Sequence, residues 1–185
     1  MIFIILKGHL PLFLYLWFRT LLAMNPHFPA FKRIITNPVL FKFFVFQKLS
    51  AAFWAGLSMS HFDEESCGVR VKLSWFNQNP FRSMYFAVEA MAAEMSCGML
   101  AFGQVYKRQP AVSMLVEKLE AKFVKKATGV IIFTCADGAA FEQAVMDALE
   151  NKEGSKLLST SIGKNQAGEI VAEFHFTWTF KAKKL

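Results

Sequence analysis

The hydrophobic positions beyond residue 68 fall into clear periods. Val69, Val71, Leu73 and Trp75 alternate with Arg70, Lys72 and Ser74, which predicts a strand. Asn79-Pro80 follows; Asn is a strong N-cap and Pro suits a first helical position, so the pattern predicts a helix from there to about Tyr106, closed by Pro110. That helix is apolar all round, and a helix with no polar face must be buried. Residues 113–126 read as extended, with Leu115, Leu119, Ala121 and Phe123 assigned to one face. Val130 to Cys135 is a short buried strand. After Asp137-Gly138, Phe141, Val145 and Leu149 mark a second helix, and Lys156 to Ile162 a further strand. In the last strand Ile170, Ala172, Phe174, Phe176, Trp178 and Phe180 share one face, opposite Glu173, His175, Thr177, Thr179 and Lys181.

No regular strand–helix alternation appears, which argues against a doubly wound parallel sheet and for an antiparallel α+β fold. An all-apolar helix needs a sheet curved around it. The expected architecture is therefore a hotdog fold, about five antiparallel strands wrapped around one long central helix, with an N-terminal helical arm. A chain of 185 residues suits one such domain, and we assign residues 58–185 to it and residues 1–57 to the arm.

Charge sharpens the view of the arm. Residues 1–62 carry Lys7, Arg19, Lys32, Arg33, Lys42 and Lys48 and no acid, together with 11 of the 21 Phe, while the remainder is nearly neutral. Basic and aromatic residues together suit an anionic membrane surface better than a nucleic-acid groove, so no nucleic-acid partner is expected. Asn37-Pro38 starts a predicted helix over residues 39–56, which either packs on the body or samples lipid. Residues 1–23 have no uninterrupted apolar run of spanning length and no clear cleavage motif. They read as a membrane-associated segment or as upstream sequence ahead of a true start at Met24.

Cys67, Cys97 and Cys135 are odd in number and widely spaced, which points to buried thiols in a reducing, cytoplasmic compartment and away from a disulfide framework or a zinc site. No His pair has metal spacing, and there is no phosphate loop, dinucleotide fingerprint or nucleophile elbow, so neither metal nor cofactor is expected.

The chemistry resides in the long helix. Glu89 and Glu94 are carboxylates in an apolar segment, where ionisation is costly unless something compensates. They lie about 140° apart around the axis, so they do not face one small site. Either one faces a pocket and the other a structural partner, or both are paired. Arg82, in the expected first helical turn, opposes the dipole unless it binds an anion or stays solvated. Ser83 and Ser96 are candidate hydrogen-bond donors to an acid or a substrate. Lys107-Arg108 and Lys125-Lys126 either meet ligand phosphates or cap their elements in solvent.

The segments Asn79-Pro-Phe-Arg-Ser-Met-Tyr-Phe86 and Ala92-Ala-Glu-Met-Ser-Cys-Gly98 resemble hotdog acyl-CoA thioesterase-like proteins, in particular the group named domain of unknown function 4442. Those proteins carry an Asn, a turn ending in Met-Phe, and then Ala-Glu and a Gly on the same helix. These fall on Asn79, Met84-Tyr85, Ala93-Glu94 and Gly98. The resemblance implies an acyl-CoA-type substrate, a homodimer and Glu94 as catalytic carboxylate; Asn79 and Tyr85 of the matched turn join Arg82, Ser83 and Ser96, read from the residues above, as substrate-binding candidates. Helix N–H groups at the residue 79–83 turn would receive the developing oxyanion. Glu94 lies about 18 Å along the axis from that turn, so a partner subunit must bring the two together. Bulky Arg82, Tyr85 and Phe86 stand where small residues admit a thioester, which supports a second reading, a non-catalytic acyl- or lipid-binding module at a membrane surface.

Overall fold

The computed structural model of the protein describes residues 25–151 and 153–183, so the expectations for residues 1–23 lie outside the described residues. Among the described residues three helices come first, α1 (Phe28–Thr36), α2 (Pro38–Lys48) and α3 (Ser50–Trp54). Asn37 caps α2, its side-chain oxygen accepting from the N–H groups of Val39 and Leu40. The single helix expected over residues 39–56 is instead broken at Leu49, where φ −140° and ψ 55° leave helical space. Strands β1 (Ser58–Phe62) and β2 (Cys67–Lys72) follow, then the long helix α4 (Phe86–Val105), β3 (Val112–Phe123), β4 (Val130–Cys135), α5 (Gly138–Glu150), β5 (Ser155–Asn165) and β6 (Ile170–Ala182).

Among the described residues the sheet has six antiparallel strands in the order β1-β2-β4-β5-β6-β3, against an expectation of about five. It curves around α4 in the hotdog arrangement. By length and hydropathy alone α4 is able to cross a membrane, yet most of it is buried inside the sheet. The concave face is built from alternate residues: Val69 and Val71 of β2, Ile131 and Phe133 of β4, and Phe174, Phe176, Trp178 and Phe180 of β6. On α5, Phe141 packs its ring against Trp178 and Phe180. Phe28 and Phe31 of α1 are fully buried, so the N-terminal helices pack onto the body.

The strand expected to reach Trp75 ends at Lys72, and Trp75–Asn77 form a short 3₁₀ turn. Asn77 is the reason. Its buried amide donates to the carbonyls of Ala55 and Lys72, and its side-chain oxygen accepts from Ser74 N–H. Truncating it strands three backbone groups. Asn77→Ala is expected to cost about 2 kcal/mol in chemical denaturation, because each orphaned buried group carries a desolvation penalty.

In β3 the uniform alternation fails. A bulge between Val116 and Lys118 inserts an extra residue, so Met114 and Val116 face inward before it and Leu119, Ala121 and Phe123 after it. Leu115, assigned to the same face as Leu119, is turned outward.

Candidate functional site

Asn79 does not cap the long helix. Its side-chain oxygen accepts from Phe81 and Ser83 N–H, while its amide donates to Ser83 Oγ at 3.0 Å and to the Met84 carbonyl at 3.2 Å. Residues 79–83 thus form a self-bonded turn closed by a Gln78–Met84 bridge. Two further bonds hold the next residues extended, Met84 N–H to Ala127 O and Tyr85 N–H to Asn77 O. The helix begins only at Phe86. Arg82 is therefore not in a first helical turn. It is exposed, with φ 58°, in the turn itself.

This moves the free helix donors. The first helix-closing bonds run from Val88 and Glu89 N–H to the Tyr85 carbonyl, so the N–H groups of Phe86 and Ala87 have no backbone acceptor among the described residues. Phe86 borders an open pocket of about 620 Å³, lined also by Asn79, Ser83, Tyr85, Phe123, Lys125 and Lys126 and reached by Glu89. Lys125 is anchored to Glu169.

Glu89 is 4 % exposed, and its Oε2 has no hydrogen-bond partner among the described residues. Burial raises its pKa from 4.5 to about 7. No structural partner for this oxygen stands among the described residues.

Glu94 faces elsewhere. It lines a pocket of about 290 Å³ between α4, α2 and β3, walled by Phe44, Leu49, Met95, Met99, Phe102 and Met114, with Lys48 at its edge. A second recess of about 270 Å³, under Ser50 to Ala52 of α3, shares Lys48, Leu49, Glu94 and Met95. Burial raises the Glu94 pKa, and desolvation is its sole cause. No arginine or hydroxyl pairs with it among the described residues. Gly98, one turn on, makes room: a Cβ there would lie 2.9 Å from Glu94 Oε1 and 3.4 Å from the Trp178 ring.

Both acids thus face pockets, but different ones. The turn groups Asn79, Ser83 and Tyr85 together with Glu89, not Glu94. Ser96 joins neither pocket; it is fully buried against β5, donating to the Ala93 carbonyl and sharing a 2.8 Å bond with Ser161 Oγ. Arg108 is buried too, its guanidinium against Gln104 O and Met146 Sδ, and does not cap α4 in solvent. Sequence reasoning missed the contribution of α2 and α3 to the Glu94 pocket, because no local signal pairs residues 44–52 with residue 94. The signal for Glu89 was present, a carboxylate with no polar neighbours at helical spacing. Among the described residues no cluster of His, Cys, Asp or Glu is able to hold a metal ion. Cys67, Cys97 and Cys135 are free and buried.

The chain matches no curated protein. Solved structures share its architecture. A Pseudomonas aeruginosa protein of unknown function, described as a probable thioesterase, superposes with a TM-score of 0.67 at 18% identity, over 81% of this chain and 99% of that one. A Haemophilus influenzae thioesterase gives 0.59 at 10% identity, over 79% and 91%. A Staphylococcus aureus protein, solved with one glutamate changed to alanine, gives 0.53 at 13% identity, over 70% and 96%. The same protein, there called a thioesterase enzyme, was also solved with a glutamine changed to alanine (TM-score 0.52 at 13% identity, over 69% and 94%). At these identities the likeness is one of fold. The family model for a domain of unknown function, DUF4442, matches residues 39–180, and the chain belongs to that family.

Proposed function

We propose that the protein hydrolyses an acyl-CoA-type thioester as a homodimer, with Glu94 of one subunit facing the 79–87 segment of the other. The observation that carries this reading is the Glu94 carboxylate, without a partner among the described residues, in an apolar pocket and raised in pKa by burial alone. A carboxylate whose pKa is raised by burial is a stronger proton acceptor than an ordinary one, as a general base requires. Glu94 takes a proton from water as the oxygen attacks the thioester carbonyl. The oxyanion is received by the N–H groups of Phe86 and Ala87. The C–S bond then breaks, and Glu94 returns the proton to the departing thiolate.

Two features support the dimer. Glu94 lies eight residues beyond Phe86, about 12 Å along the axis, beyond the reach of a carboxylate acting on a carbonyl held at its own helix start. Among the described residues strand β3 has a ladder partner on one side only, and its inward Leu119 and Phe123 remain about half exposed. The two residues changed in the Staphylococcus aureus thioesterase are fifteen apart, the same spacing as Asn79 and Glu94. Lys125 and Lys126 at the rim suit the phosphates of a CoA-type carrier.

A second reading is favoured by Glu89, which shares the turn's pocket within one chain and would act there in cis. Subunit mixing separates the two. Glu94→Gln and Asn79→Ala chains, each inactive, are unfolded and refolded together in equal amounts, and thiol release from a panel of acyl-CoAs is measured. A shared site restores about a quarter of wild-type activity, since half the dimers are mixed and each has one intact site. No recovery sinks the shared site.

A further inference from the structure

Helix α2 is apolar on both sides. Its inner face buries Phe41 and Val45 and packs Phe44 against the Phe31 and Phe102 rings. Its outer face presents Val39, Phe43 and Phe46 at i, i+4 and i+7, and these are 75%, 60% and 50% exposed. The stripe continues onto α3 through the ring contacts Phe46–Phe53 and Phe53–Trp54, and Trp54 is 61% exposed. An aromatic surface of this extent marks an interaction site. Its occupant is indicated by charge. Lys42 and Lys48 project from the same helix, and neither α2 nor α3 carries an acid. A second copy would bring two cationic faces together, whereas an anionic bilayer complements both the charge and the aromatic rings.

We infer that the outer face of α2 and α3 docks the protein on an anionic lipid bilayer. Phe43, Phe46 and Trp54 enter the interface and Lys42 meets the headgroups. The opposite side of α2 walls the Glu94 pocket through Phe44, with Leu49 just beyond its end, so docking sets that pocket beside the acyl-chain phase. Docking does not depend on catalysis at Glu94 and is measured without substrate.

The full chain is floated with vesicles of phosphatidylcholine alone and of phosphatidylcholine and phosphatidylserine in equal parts. Flotation is expected with the mixed vesicles and not with the neutral ones. Phe43→Ser/Phe46→Ser should lower the partition coefficient roughly thirtyfold, from lost apolar burial. Lys42→Glu, which leaves the apolar stripe intact, should lower it roughly fivefold or more at low salt. Lys42→Glu should keep the wild-type unfolding temperature, since its side chain is exposed, and the double variant should still unfold cooperatively, losing the Phe46–Phe53 ring contact. A wild-type chain that does not float overturns docking, as does equal flotation with both vesicles or flotation that neither variant changes. A double variant that elutes as a smaller assembly than the wild type also overturns it, because a second copy then covers the face.

Discussion

Glu94→Gln is expected to reduce thiol release from acyl-CoA by about a thousandfold, the middle of the range associated with losing a positioned general base. The substitution preserves volume and hydrogen-bonding reach while removing the ability to accept a proton. Because Glu94 has no partner among the described residues, no ion pair is broken and no buried cation is orphaned, so the fold should stay intact. The loss should fall on kcat, with KM little changed, because the interaction is made in the transition state. Glu89→Gln serves as the control and should leave turnover near wild type. Equal turnover by wild type and Glu94→Gln would refute the assignment of the base, and loss confined to Glu89→Gln would transfer the role to the cis site.

Stability should respond to Glu89 in the opposite sense. In the unfolded chain Glu89 titrates near 4.5 and in the folded chain at about 7. Between these values the folded state binds more protons, so its contribution to stability is full below about pH 4.5, falls as pH rises and is gone above about pH 7. The interval corresponds to roughly 3 kcal/mol, and with the side chain only 4 % exposed little of that is screened by solvent. Glu89→Met keeps the volume and removes the charge. At about pH 8 the variant should be more stable than wild type by roughly 3 kcal/mol, or roughly 6–12 °C in unfolding temperature, while near pH 4.5 the two should nearly coincide. Urea denaturation of both chains across this range tests it, and a difference that does not change with pH would show that the carboxyl is solvated.

How far these sites could be read from sequence depends on the range of the interactions that fix them. The burial of α4 was legible, since an all-apolar helix leaves no alternative, and so were the separation of Glu89 from Glu94 around the axis and the alternation in β6. The start of α4 was not. Asn79-Pro80 has the local signature of a helix cap, but the Asn79 side chain is used within its own turn, and bonds from Met84 to Ala127 and from Tyr85 to Asn77 keep the chain extended to residue 85. Ala127 is far away in sequence, so no local pattern records that competition. The bulge in β3 is likewise invisible, because Glu117 looks like any polar position of an alternating strand. Strand β1, Ser-Met-Ser-His-Phe, lies at the sheet edge with little apolar content to betray it. The Glu94 pocket required α2 and α3 to fold back over α4, a contact between segments more than 40 residues apart.

Gly98 has a consequence for how this helix tolerates change. The space beside it is already taken by the Glu94 carboxyl and the Trp178 ring. Residues 94 and 98 are therefore a linked pair: a side chain at 98 must displace the acid, and a shorter residue at 94 releases the constraint on 98. Among chains of this architecture the two positions should drift together. A methyl group at 98 beside an intact Glu94 would mark a protein whose acid has been turned away from its pocket.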